Sequence, residues 1–111
     1  MDALNRYREL IENILDEYAR IPYAYGDIRT EAVFDRTRDR YLLVNVGWKN
    51  GRRIHWALIH VDIIDDKIWI QRDGTEDGIA NDLARAGIPK DRIVLGFHPP
   101  SVRPHTEFAA A

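Results

Sequence analysis

The dipeptide Asn50-Gly51 interrupts a long stretch in which apolar and polar residues alternate. Such a dipeptide favours a type I′ turn, because both of its residues tolerate the positive φ that this turn requires. A two-residue loop also sets the register of the flanking strands, so that Val44 lies opposite Ala57 and Leu42 lies opposite Ile59. The centre of the chain is therefore predicted to be a β-hairpin.

The alternation extends from residue 30 to residue 71 and is rich in β-branched and aromatic residues, which favour strands. We predict four strands, at residues 30–35, 40–48, 52–64 and 67–71, with Asp65-Asp66 as a second two-residue loop. Residues 93–97 are predicted to form a short fifth strand. Because short loops join consecutive strands in an antiparallel pair, the prediction is a β-meander of four or five strands.

Two other segments have the periodicity of amphipathic helices. The first should begin with Asp2 as its N-cap and end before Pro22, since the residue preceding a proline is pushed out of helical dihedrals. The second should span residues 76–86, with Thr75 as its cap and Gly87 as its terminator. The apolar stripe of the first helix comprises Tyr7, Leu10, Ile11, Ile14, Leu15 and Tyr18. The expected fold is α+β, with both helices packed on one face of a mostly antiparallel meander.

The register also predicts which side chains share each face of the sheet. The face that should meet the helices is aliphatic and carries Leu42, Val44, Val46, Ala57, Ile59, Val61, Ile63, Ile68 and Ile70. The other face mixes aromatic and hydrogen-bonding residues, a composition that is typical of protein interfaces. We interpret this second face as an interface, with Asn45, Trp56, His60, Asp62, Trp69 and Gln71 as its candidate contact residues.

Composition limits the class of protein to which the chain can belong. Its 111 residues suit a single domain over residues 1–111. The absence of cysteine excludes disulfide scaffolds, zinc–thiolate sites and cysteine nucleophiles. The formal net charge is −2, which gives no overall attraction to nucleic acid or to anionic lipid. Since no apolar run approaches the length of a membrane span, we expect a cytoplasmic protein. We also expect no metal or cofactor, because the histidines lack the spacing of a zinc-binding helix motif.

A metal-dependent nuclease or hydrolase is one alternative. Its site could be built from an aspartate followed, on a later strand, by Asp-x-Lys. Asp39 would supply the first carboxylate, and Asp65 and Lys67 would supply the rest, at the same end of the predicted meander. Charged residues at hairpin tips are, however, typical of any soluble sheet.

Weak direct DNA binding is a second alternative, with Arg52 and Arg53 as the candidate contacts. The hairpin register puts these two residues at one end of the sheet. The other basic group lies at the opposite end and comprises Arg36, Arg38 and Arg40. Because the two groups are separated by the length of a strand, a continuous phosphate-binding groove is not expected.

Seven segments, in their order and spacing, carry a resemblance to a known family. They are residues 21–27 (IPYAYGD), 41–48 (YLLVNVGW), 60–63 (HVDI), 67–72 (KIWIQR), 74–76 (GTE), 89–98 (PKDRIVLGFH) and 106–109 (TEFA). Together they span nearly the whole chain, which resembles the XisI family, the controlling factors for excision of the fdxN DNA element in cyanobacteria. One position differs, because Asp66 stands where the family's turn has glycine.

The resemblance implies an accessory role. In the family, the recombinase chemistry resides in another protein, and a companion named XisH is also needed. The family brings no catalytic residues to carry across. What the resemblance implies is therefore a non-enzymatic accessory module for developmental excision of a DNA element, paired with an XisH-like protein. We expect the candidate interface to pair the chain with such a protein or with a second copy as a homodimer, and DNA to be contacted only indirectly.

Overall fold

A five-stranded sheet carries both helices on one of its faces. The computed structural model describes residues 3–23 and 26–111. In chain order its elements are α1 (Ala3–Ala19), β1 (Asp27–Asp35), β2 (Arg40–Lys49), β3 (Arg52–Ile64), β4 (Lys67–Asp73), α2 (Ile79–Arg85) and β5 (Ile93–Leu95). The strands lie in sequence order, with β1 to β4 antiparallel and β5 parallel to β4. The α+β fold predicted from the sequence is confirmed.

Helix α1 packs through the stripe that its periodicity predicts. Tyr7, Ile11 and Leu15 are buried, and the other apolar residues of the stripe pack against the same core. The helix ends at Ala19, before Pro22, as expected. The N-cap predicted at Asp2 lies outside the described residues.

Helix α2 is shorter than predicted and is capped differently. It begins at Ile79, and Thr75 lies outside it in the preceding loop. The carboxylate of Asp73 accepts hydrogen bonds from the backbone N–H of Thr75 at 3.0 Å and of Ile79 at 2.9 Å. The prediction of Thr75 as the cap was therefore wrong, because an aspartate at the end of β4 satisfies the first N–H of the helix from outside it.

The Asn50-Gly51 turn forms as predicted. Both residues have positive φ, 51° and 76°, and Lys49 pairs with Arg52. From this turn the register runs as expected as far as the pair Val44–Ala57.

Beyond that pair the register shifts by one residue, because Leu58 forms a β-bulge. Leu43 pairs with Ile59, so Leu58 has no partner on β2, and Leu42 lies opposite His60. The prediction that Leu42 lies opposite Ile59 was wrong. A two-residue turn sets the register only until an extra residue enters one strand.

The bulge changes which β2 side chains face the helices. Ile59, Val61, Ile63, Ile68 and Ile70 are buried in the core as predicted, but their neighbours on β2 are Tyr41 and Leu43. The predicted core residues Leu42, Val44, Val46 and Ala57 lie on the opposite, helix-free face. Since residues directly opposite one another point to the same side, a shift of one residue moves half a strand to the other face.

The two edges of the sheet differ. Strand β5 is shorter than predicted, ending at Leu95, and its outer side is closed by the C-terminal segment. There Val94 bridges to Ala109, whose N–H donates to the carbonyl of Ile93 at 2.9 Å. Strand β1 lies at the other edge and pairs only with β2 among the described strands.

The second two-residue loop forms at Asp65-Asp66, between the paired residues Ile64 and Lys67. Both aspartates have positive φ, 50° and 65°. A side chain at such φ carries a steric cost that glycine avoids, and Asp-Gly is a preferred pair for this type of turn.

Replacing Asp66 with glycine should therefore raise the free energy of unfolding by about 0.5–1 kcal/mol. Urea denaturation measures the change. Asp65→Gly is the matched control and should gain less, because the first position of the turn accepts aspartate. A lower unfolding free energy for Asp66→Gly would contradict this account of the turn.

Candidate functional site on the helix-free face

The six residues predicted to form one interface lie on two faces of the sheet. Asn45 pairs with Trp56 before the bulge, on the face that carries the helices. His60, Asp62 and Trp69 lie beyond it, on the helix-free face. The sixth residue, Gln71, occupies a second bulge, and its amide Nε2 lies 3.4 Å from Asp62 Oδ2. The single shared face was therefore wrong, and the bulge at Leu58 is the reason.

On the helix side, Asn45 has a structural environment. It is fully buried, it accepts a hydrogen bond from Thr30 Oγ1 at 2.8 Å, and its Nδ2 donates to the hydroxyl of Tyr23 at 2.5 Å. Its cross-strand neighbour Trp56 is 47% exposed. The pair thus couples a satisfied polar core residue to an indole at the surface.

A polar cluster surrounds Asp62 on the helix-free face. The side chain of Asp62 is 8% exposed, and its Oδ1 lies 2.8 Å from His60 Nε2 and 3.5 Å from Arg40 Nε. With Gln71 on the other oxygen, this carboxylate is surrounded by donors from three strands. These hydrogen bonds and the ion pair offset the cost of burying the carboxylate, so the cluster ties the strands together.

Trp69 is held by the C-terminal segment. The guanidinium of Arg103 lies 5.0 Å from the centre of the indole ring, and Arg103 Nε donates to the carbonyl of His98 at 3.0 Å. Trp69 therefore anchors the chain after β5, and substituting it would disturb the fold as well as any interface.

An apolar stripe runs along the centre of the helix-free face, and the sequence prediction had placed most of it in the core. It comprises Val33, Leu42, Val44, Val46, Trp48 and Ala57. Val33 is 50% exposed and Trp48 is 52% exposed. Ion pairs and a stacked arginine border the stripe, with Arg53 5.2 Å from the Trp48 ring and Arg29 Nε 2.8 Å from Glu31 Oε1. Leu42, Val44 and Ala57 are partly buried and Val46 is buried, so the stripe is most exposed at its ends. An apolar surface with a charged border is the arrangement that protein interfaces use.

The sequence contains a signal for this stripe. Residues 56–59, Trp-Ala-Leu-Ile, are four consecutive apolar residues in the middle of β3, and a bulge produces such a break in alternation. Residues 41–44 are also apolar on both sides of the strand, so alternation alone could not assign their faces.

The basic residues occupy two separate ends of the sheet, as predicted. Arg52 and Arg53 lie beside the Asn50-Gly51 turn. The other three arginines, at the opposite end, each pair with a carboxylate: Arg36 with Glu12, Arg38 with Asp35 and Arg40 with Asp62. The guanidinium groups that a phosphate-binding site would need at this end are therefore already paired with carboxylates.

The carboxylate of Asp39 is also engaged within the protein. Arg8 donates to both of its oxygens, at 2.7 and 3.1 Å, and the hydroxyl of Tyr41 donates at 3.0 Å. The hydrogen bonds from Arg8 hold the pKa of the Asp39 carboxyl below its usual range. Asp65 is exposed in the turn between β3 and β4, and Lys67 Nζ donates to the carbonyl of Ala111. Within residues 3–23 and 26–111, no group of three His, Asp or Glu side chains is placed to hold a metal ion.

A pocket of about 420 Å³ lies on the helix side, between the end of α1 and the loop before α2. Its lining includes four hydroxyl groups, of Tyr18, Tyr23, Thr30 and Thr75. Each of them bonds to a protein group: Tyr18 to Asp82, Thr75 to Asp73, and the other two to Asn45. Burial and the Asp82 carboxylate raise the pKa of Tyr18 to about 12. These four hydroxyl groups therefore make hydrogen bonds within the fold.

Neither described helix has the length and apolar character needed to cross a lipid bilayer.

The Asp39–Arg8 pair predicts a pH dependence of stability. Asp39→Asn should lower the unfolding free energy at pH 7 by about 1–3 kcal/mol, since it removes charged hydrogen bonds from a mostly buried site. Because the folded pKa lies below the unfolded value of about 3.9, this stabilisation is complete above that pH and is lost as pH falls through the folded pKa. Urea denaturation between pH 2 and pH 7 measures it, and the variant should lose less stability on acidification than the wild type.

The matched control is Asp65→Asn. Both aspartates have similar positive φ, 53° and 50°, which asparagine also tolerates, but Asp65 is exposed. Its substitution should change stability by less than about 0.5 kcal/mol. Equal effects of the two substitutions at pH 7 would contradict the role given to the Arg8 pair.

Comparisons with known proteins agree on one family. The chain matches the model of the XisI protein family over residues 1–110. A crystal structure of a XisI-like protein from Anabaena variabilis ATCC 29413 is 36% identical, with a TM-score of 0.90, and the match covers 97% of this chain and 99% of that one. The crystal structure of the fdxN element excision controlling factor XisI from the same organism is also 36% identical, with a TM-score of 0.86 over 99% and 100% of the two chains.

A search of curated proteins found no match. The family match over nearly the full length and the two solved structures coincide with the segments that carried the resemblance in the sequence. On this evidence, the chain belongs to the XisI family.

Proposed function

We propose that this chain is a controlling factor for the excision of a DNA element and that it acts as a non-catalytic protein-interaction module. Membership of the XisI family, and the likeness to a protein named as an fdxN element excision controlling factor, support the first part. The apolar stripe on the helix-free face supports the second part. In this proposal the chain works in the cytoplasm and reaches DNA only through its partners.

The proposed partners are an XisH-like protein and a second copy of this chain. The XisH-like protein covers the apolar stripe, whose centre is Val44 and whose exposed ends are Val33 and Trp48. Fully burying one large apolar side chain contributes about 1.5–3 kcal/mol. Two half-exposed residues of this kind therefore leave a substantial favourable term for a partner to gain.

The stripe is the observation that carries the proposal. In an isolated domain, a sheet face that meets solvent is normally polar, because the strands alternate between apolar residues on the core side and polar residues on the solvent side. Here four apolar residues, Leu42, Val44, Val46 and Trp48, follow one another on the same side of β2. The absence of charge from this central row, and the ion pairs beside it, fit a surface that becomes dry on binding.

The groups that would serve catalysis are engaged in other ways. Asp39 is bonded by Arg8 and Tyr41, and the carboxylate of Asp62 is bonded by His60 and Arg40. A carboxylate in such a pair has a structural role. These contacts support a role in which another protein carries out the chemistry of recombination.

Val44→Glu tests the proposed surface. A charge at the centre of the stripe should weaken binding of the XisH-like protein by at least about tenfold, because a central contact residue commonly contributes about 2 kcal/mol or more. The two proteins are co-expressed, the mass of the purified complex is measured, and affinity is then determined by calorimetry. Trp48→Ala, at the exposed end of the stripe, should weaken binding in the same direction.

Ile21→Glu is the matched control. Ile21 is 60% exposed and lies after α1, away from the helix-free face, so the same change of chemistry there should leave the affinity unchanged. Circular dichroism and thermal denaturation check that each variant is folded. A folded Val44→Glu protein that binds its partner as tightly as the wild type would exclude the stripe as the binding surface.

A further inference from the structure

The C-terminal segment covers one edge of the sheet, and at the other edge no described strand pairs with the outer side of β1. The C-terminal segment covers β5, which is three residues long, through the bridge between Val94 and Ala109. Strand β1 is nine residues long and pairs with β2 in nine consecutive positions without a bulge. Its outer side meets no other described strand. Proteins commonly protect such an edge with a bulge, a proline, a short strand or charged side chains. Strand β1 has only the last of these, at Asp27, Arg29, Glu31 and Asp35, so a partner strand must match its charges.

The side chains at the centre of β1 are complementary to themselves. Arg29 and Glu31 lie on the helix-free face, with side chains 69% and 50% exposed, and they form an ion pair with each other. Thr30 lies between them and points to the helix side, where it donates to Asn45. Ile28 and Ala32 flank Thr30 on that same side. Because Arg29 and Glu31 lie on either side of Thr30, two copies of this strand that run antiparallel about Thr30 place opposite charges against each other.

We infer that β1 pairs antiparallel with β1 of a second copy, about a two-fold axis at Thr30. This inference rests on the self-association proposed above and names its edge and register. Arg29 of each copy then lies opposite Glu31 of the other, and Ile28 lies opposite Ala32. Opposite charges at directly facing positions stabilise an antiparallel pair, and like charges destabilise it.

Charge selects this register over its neighbours. A shift that centres the axis on Glu31 places two glutamates opposite each other, and a shift that centres it on Arg29 does the same for two arginines. A two-fold axis perpendicular to the sheet also keeps both helix-free faces on the same side. The two apolar stripes therefore face the same direction in the dimer.

Charge reversal on β1 tests the inference, with sedimentation equilibrium of the full chain as the measurement. Arg29→Glu places a glutamate opposite Glu31 of the second copy, and Glu31→Arg places an arginine opposite Arg29 of the second copy. Each variant alone should dimerise at least about tenfold more weakly than the wild type, through like-charge repulsion. An equal mixture of the two variants should dimerise about as tightly as the wild type, because every facing pair is then opposite in sign.

The mixture separates pairing between chains from effects within one chain. Neither variant can form the internal ion pair between residues 29 and 31, so recovery in the mixture cannot come from repair of a single chain. Recovery in the mixture supports the register. A mixture that remains as weak as the separate variants, or variants that dimerise as tightly as the wild type, would overturn it.

Two further results keep this inference apart from the proposed function. A wild-type chain that stays monomeric at all concentrations would overturn self-association itself, together with the edge pairing. Binding of the XisH-like protein uses the stripe and is measured separately by calorimetry. It is read from Val44→Glu and Trp48→Ala, which leave the sequence of β1 unchanged, so its loss there is a result independent of the charge-reversal variants.

Discussion

The unpaired residue Leu58 determines which side of the sheet becomes core and which becomes surface. Its carbonyl accepts a hydrogen bond from the N–H of Gly74 at 2.8 Å, so the loop after β4 holds the bulge in place. A Cβ on Gly74 would lie 3.0 Å from Leu58 Cδ1, and a side chain there would push against the bulge. Because strand side chains alternate, this one extra residue brings Ile59 to the helices while Leu42 points away from them.

Charged residues at one end of the sheet form ion pairs within the protein. Arg8 reaches from α1 to Asp39 in the loop between β1 and β2, and Arg36 reaches from the same loop back to Glu12 on α1. These contacts fasten the N-terminal helix across one end of the sheet. A count of basic residues in the sequence therefore overstates what this surface offers to an anion.

Local features of the fold were predictable, and features that depend on distant contacts were not. The positive φ at Asn50-Gly51 is a property of two adjacent residues, and the buried face of α1 follows from spacing alone. The start of α2 depends on Asp73, six residues before the helix, and the bulge at Leu58 depends on Gly74. The candidate interface was misassigned for the same reason, since Asn45 and His60 lie on either side of that bulge and so on different faces.

The bridge between Val94 and Ala109 also limits how large an assembly this sheet can build. A sheet with two free edges can recruit neighbours in both directions and grow into a fibre, as cross-β polymers do. Among the described residues, β5 is already paired with the segment around Ala109, so β1 is the edge at which the proposed pairing would add a strand. Under that proposal, growth would stop after one step and yield a closed pair, with the segment around Ala109 acting to limit polymerisation.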